Sequence, residues 1–215
     1  MSPAEILSAL VAWTPRLAEG FVWNLIISAV AMLVGTILGA GLALLRLRRS
    51  PRARWIGVAL TDLTRNVPTF VFLYYLAFLI PTEFEAFGSQ YVFPAWLKAA
   101  LALSIAVVGF TSDSLHTAMR EWRGGHHAAS LLFIPSWTSY FVIVLMASST
   151  ASIIGVGEIV SQCNTIIGAV GRSELMLWIY LYAMLWFFAV SFPVTLLMSR
   201  TKARMLARLG LVVVA

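Results

Sequence analysis

Three ionisable residues stand inside otherwise apolar stretches of the chain: Asp62, Arg65 and Asp113. A charge within hydrocarbon is costly, so each is a functional candidate by default. Asp62 and Arg65 are three residues apart, close enough to pair on one helix face. Two readings of them stay open. They line a solute path or its gate, or they lie in the interface, shape the start of a helix and let Arg65 snorkel. Asn66 follows directly. Pro68 has no N–H and should kink or restart the helix, freeing carbonyls near mid-depth. Asp113 falls in the inner half of a later span, where it meets either Arg65 or interfacial water. A second polar group is the hydroxyl run Ser148-Ser149-Thr150-Ala151-Ser152. Such a run can hydrogen-bond a polar solute, although packing against a neighbouring helix is its commoner use. The path or gate candidates are therefore Asp62, Arg65, Asn66, Pro68, Ser148, Ser149, Thr150 and Ser152.

Other chemistry is poorly supplied. No GxxxxGK[ST] sequence is present to cradle phosphates, so the chain is not expected to hydrolyse ATP by itself. His126 and His127 are adjacent and lack the i, i+4 spacing that puts two ligands on one helix face, and no metal site is expected. Local sequence suggests no catalytic Ser/His/Asp or Cys/His arrangement, which argues against an enzyme. Cys163 is the single cysteine, so no intrachain disulfide forms.

The elements that must position these residues are set by composition. Apolar residues make up 60% of 215 and charged residues 11%, and the mean hydropathy is +0.89. Soluble domains carry roughly a quarter charged residues, so a soluble enzyme or a disordered regulator is excluded. One all-α integral membrane domain over residues 1–215 is expected. About 20 apolar residues cross the hydrocarbon, which predicts five spans at about 21–45, 55–80, 98–119, 128–152 and 175–199. Ser2-Pro3-Ala4-Glu5 reads as an N-cap, a Pro at N1 and a capping-box Glu, opening a short interfacial helix ahead of the first span. Gly35 and Gly39 form a GxxxG suited to close helix packing.

Eleven of the fifteen Lys and Arg lie in the segments after the first and third spans and in the tail. The positive-inside rule then puts the N-terminus outside and the C-terminus in the cytoplasm, and it accounts for the net charge of +6 without nucleic acid. Two outer stretches result. Pro81 to Pro94 is polar and carries Glu83, Glu85 and Gly88. Gly155 to Glu174 is apolar enough to pack back onto the bundle.

Three stretches carry a family likeness. Asn24 to Arg54 looks like a first helix with its basic loop. Thr61-Asp62-Leu63-Thr64-Arg65-Asn66-Val67-Pro68-Thr69 is similar to a glutamate–two residues–Arg-Gly-Thr-Pro motif. Pro135 to Glu158, ending Ser152-Ile153-Ile154-Gly155-Val156-Gly157-Glu158, is similar to a segment ending Ser-Val-Ile-Gly-Val-Pro-Glu. The chain thus resembles the permease subunits of polar amino-acid ABC importers, the histidine/glutamine/arginine/opine type. The resemblance implies a multi-pass protein of the bacterial cytoplasmic (inner) membrane that forms one half of a translocation path. It implies three partners: an ABC ATPase subunit, a second permease and a periplasmic or extracellular solute-binding protein. The chain would bind no cofactor, with ATP and Mg used by the ATPase.

Departures from the family accompany the likeness. The coupling helix that meets the ATPase is reduced to Arg120, Glu121, Trp122, Arg123, Gly124, Gly125, His126 and His127, and the Gly pair disfavours helix there. A Lys-Asp pair of the family is replaced by Met146-Ala147, and an Arg of its third helix by His116. The expectation is a degenerate permease paired with one whose coupling helix is intact. The alternatives are a non-transporting scaffold or regulatory subunit, and an ATP-independent channel or carrier.

Overall fold

The computed structural model describes residues 2–86 and 89–208, so Gly88 lies outside the described residues. Helix α1 runs from Pro3 to Arg46 without interruption. Ser2 caps it: the Ser2 hydroxyl accepts from the Glu5 N–H, and the Ser2 N–H donates to Glu5 Oε2 at 2.9 Å. The separate interfacial helix expected at the N-terminus is instead the first part of α1. Pro15 removes one backbone bond from its interior. Packing keeps the helix going, because Ile6, Ala9, Leu10 and Trp13 lie against a core that includes Leu17, Phe21, Ile159 and Ile179. At 1.5 Å per residue the 44 residues extend about 66 Å, roughly twice the hydrocarbon thickness.

Among the described residues four helical stretches are long and apolar enough to cross a membrane: Pro3–Arg46, Ala95–Arg123, Phe133–Ile154 and Ser173–Ala207. The expected span over 55–80 is not one helix. It divides into α2 (Pro51–Asn66) and α3 (Thr69–Leu79), with Val67 and Pro68 extended between them. The cause is local. Pro68 cannot bond back to Thr64, and its ring pushes Val67 out of the helical region to ψ 126°.

Two short strands, β1 (Glu83–Ala86) and β2 (Ser89–Val92), pair antiparallel between α3 and the next helix. Helix α4 spans Ala95–Arg123. A single turn, α5 (His127–Ser130), leads to α6 (Phe133–Ala147), which tightens into 3-10 geometry over Ser148–Ile154. Gly155 ends that turn at φ +84°, a conformation glycine adopts without strain. Helix α7 (Ile159–Val170) packs on α1 and on α8 (Met176–Arg208).

The main internal contact is α1 against α4. Gly35 and Gly39 make it close. A Cβ on Gly39 would sit 2.7 Å from both Thr111 Cβ and the Val108 carbonyl. Around this seam Ile27, Ala31, Leu103, Val107 and Val144 form one core, and Leu17, Phe21, Leu145, Ile159 and Ile166 form another near α7.

Candidate functional site

The break in the second expected span opens on a cavity of about 500 Å³, lined by Thr64, Arg65, Val67, Thr69, Phe110 and Asp113 among others. Tyr140 closes it from α6. Its ring stacks on Phe110 at 3.9 Å, and its hydroxyl donates to the Ala106 carbonyl. The end of α2 and the start of α3 bring carbonyls and N–H groups without intrahelical partners to the same place. Charged, aromatic and backbone polar groups thus converge where two half-helices meet.

Asp113 on α4 is the centre of the charges. One carboxylate oxygen accepts from Arg46 Nη1 at 2.8 Å and the other pairs with Arg65 Nη1. Two guanidiniums on one carboxylate leave a net charge of +1. Arg46 is only 13% exposed and Arg65 is 53% exposed, so Arg46 anchors the triad and Arg65 presents it. The Arg46 Nη1 also lies 3.3 Å from Ser112 Oγ, and Ser112 shares a 2.7 Å hydrogen bond with buried Thr61. This polar chain ties α1, α2 and α4 together.

Of the two partners open to Arg65 in sequence, the structure selects Asp113. Asp62 is exposed and makes no ion pair among the described residues. Asn66 is exposed at the end of α2, and Pro68 stands at the break itself. The hydroxyl run lies elsewhere. Ser148, Ser149, Thr150 and Ser152 each donate to the carbonyl three residues back. None of them lines the cavity at the break.

Ser148 has a further role. With Asn24 and Glu158 it forms a buried cluster: Asn24 Nδ2 donates to Ser148 Oγ at 2.8 Å and to Glu158 Oε2 at 3.0 Å. Glu158 caps α7 by accepting from the N–H groups of Val160 and Ser161, and Asn24 Oδ1 accepts from Ile159. Asn24 donates to both the Ser148 hydroxyl and the carboxylate, and the backbone N–H groups donate to the carboxylate and the amide oxygen, so the cluster fastens α1 to α7 and leaves no donor for a solute.

The expected ATPase-facing segment is also different from a loop. Arg120, Glu121, Trp122 and Arg123 are the last turn of α4, Gly124 and Gly125 turn the chain, and His126 leads into the one-turn α5 at His127. His126 pairs with Glu121 at 3.2 Å, and Trp122 meets His127 edge-on. Sequence reasoning missed Arg46, which looked like one more arginine of a basic loop, and the cavity walls Phe110 and Tyr140. For Asn24 there was a signal: an amide within an uncharged span.

No family model matches the chain. Its sequence is 26% identical over 140 residues to the probable amino-acid ABC transporter permease protein y4tG of Sinorhizobium fredii (strain NBRC 101917 / NGR234), covering 65% of this chain and 58% of that protein. It is 27% identical over 135 residues to the probable amino-acid ABC transporter permease protein YckA of Bacillus subtilis (strain 168), covering 62% and 57%. The chain thus spans less than two thirds of the length of the curated relatives it matches. A crystal structure of an amino acid ABC transporter with histidines superposes with a TM-score of 0.75 at 18% identity, over 93% of this chain and 98% of that one. That likeness is one of fold. Together with the apolar helices, these matches indicate a multi-pass membrane protein. The chain resembles the permeases of amino-acid ABC transporters, as its motifs implied.

Proposed function

We propose that this chain is one transmembrane half of an ATP-driven importer for a polar amino acid or similar small solute. A separate ATPase hydrolyses ATP with Mg, a second permease completes the path, and an outer solute-binding protein delivers the cargo. The observation that carries the reading is the broken helix: α2 and α3 part at Val67–Pro68 beside a cavity of about 500 Å³ that holds the Arg65–Asp113 pair. Discontinuous helices are a recurrent way to place charge and backbone dipoles on a polar solute within a membrane. Arg65 would meet a carboxylate, and Asp113 would set how strongly. The relatives' names support the amino-acid class.

The test is uptake in liposomes holding the chain with its ATPase, second permease and binding protein. Arg65→Gln is expected to lower ATP-driven uptake at least about tenfold, the scale of one charge-assisted contact, and Asp62→Asn to leave it unchanged. Equal uptake by wild type and Arg65→Gln would remove the cavity from the path.

The one-turn α5 favours a permease whose partner carries most of the coupling. Cysteines at 120–127 should then crosslink weakly to the ATPase, whatever the nucleotide. The hydroxyls of Ser148–Ser152, spent on their own carbonyls, favour a second reading in which the subunit holds a permease position without lining the path. It predicts unchanged uptake with Arg65→Gln as well as with alanine at Ser149 and Thr150.

A further inference from the structure

A second concave site lies at the arginine-rich end of the bundle and takes no part in the proposed path. Its volume is about 440 Å³, and its walls include Arg46, Arg48, Arg54, Val58, His116 and Arg120. These residues come from three elements: the end of α1 with its following turn, the first half of α2, and the last turns of α4. No carboxylate lines it. Asp113 is turned to Arg46 and Arg65 in the neighbouring cavity, and Asp62 lies one turn further along α2. Arg46 is paired with Asp113, but Arg48, Arg54 and Arg120 are exposed and make no salt bridge among the described residues. Three uncompensated guanidiniums converging on one concavity repel each other and suit a phosphate, whose oxygens match their donor geometry.

The level of the site says which phosphate. Trp96 packs on Trp23 at one end of α4, and Trp122 is 54% exposed at the other. About 39 Å separates Trp96 from Trp122 at 1.5 Å per residue, close to the roughly 40–45 Å of a bilayer with its headgroups. Trp55, next to Arg54, is 71% exposed, as suits an interfacial aromatic belt. The pocket therefore opens at headgroup depth. Val58, 39% exposed, forms an apolar edge beside the arginines. An acyl chain can lie on that edge, and a free phosphate has no use for it.

We infer that this pocket is a binding site for the phosphate of an anionic phospholipid. The assignment does not depend on the transport reading, because lipid retention is measured without uptake. The full chain, purified in detergent, is mixed with phosphatidylglycerol and phosphatidylcholine and the bound lipids are counted by native mass spectrometry. Wild type should retain phosphatidylglycerol over phosphatidylcholine. The pair Arg48→Gln, Arg54→Gln should weaken that retention by about fivefold for each arginine removed, the scale expected of one basic residue at an anionic surface. Arg120→Gln, on another helix, carries the same expectation should the double variant misfold. Arg49→Gln with Arg52→Gln removes the same charge from the same stretch but from outside the lining, and should leave retention as in wild type.

Equal losses in the two double variants would mean diffuse surface charge and would overturn the site. Displacement of the lipid by equimolar inorganic phosphate would overturn the lipid as the source of the phosphate. Equal retention of both lipids by wild type would likewise overturn it.

Discussion

Asp113 holds two arginines from two other helices, and the burial of its partners makes the bargain unequal. Arg46 is 13% exposed, and its Nε is buried without a partner among the described residues. Removing the Asp113 charge leaves that guanidinium desolvated and unpaired, whereas Arg65 can turn to water. Asp113→Asn is therefore expected to cost about 2 kcal/mol, read as a lower melting temperature of the purified chain. Asp62→Asn should not move it. The sequence separates Arg46 from Asp113 by 67 positions, and no local pattern marks an arginine at a helix end as the one that turns inward. The ionisable residues of the span were legible because charge is rare in apolar runs. Which of them pair was not, because pairing is fixed by the docking of α1 and α2 on α4.

At the scale of elements, the seam between α1 and α4 rests on glycine. Gly39→Ala drives a methyl to 2.7 Å from Thr111 Cβ and from the Val108 carbonyl, and the carbonyl belongs to a helix that cannot yield alone. A loss of about 1–3 kcal/mol is expected, the usual cost of overpacking. Gly41 has nothing within 4 Å of the same methyl, so Gly41→Ala should be neutral or slightly stabilising, given alanine's better helix propensity. Thermal denaturation of the two variants side by side checks this. The GxxxG was visible in the sequence, but its partner helix was not. The opposite failure occurred at the N-terminus. A short helix separate from the span at about 21–45 was expected there, yet apolar neighbours from α7 and α8 cover the helix around Leu17 and carry it through Pro15. Long-range packing outweighed the local signal.

For the whole molecule, the arginine distribution makes a claim about sidedness. Single cysteines in residues 46–54 should be labelled by a membrane-impermeant maleimide only from the cytoplasm, and cysteines in 83–92 only from outside. The native thiol will not interfere. Cys163 on α7 is buried, and burial, with the Glu158 charge adding to it, pushes its pKa up to about 12. Very little of the reactive thiolate is present at neutral pH. Unmodified protein should stay unlabelled until it is denatured. External labelling at 46–54 would reverse the orientation.

The two halves of the broken helix are each fastened near the C-terminal end. Lys98 Nζ donates to the Ile80 carbonyl at 2.6 Å and so holds the far end of α3. Thr61 on Ser112, and Arg65 on Asp113, hold α2 near its own end. Between the two fastenings only Val67 and Pro68 are extended, and the proline ring fixes one of their four torsions. Any reorientation of one half against the other is then a swivel about three bonds, with no room for sliding. A solute resting in that crook would feel its surroundings turn, as a key feels a lock.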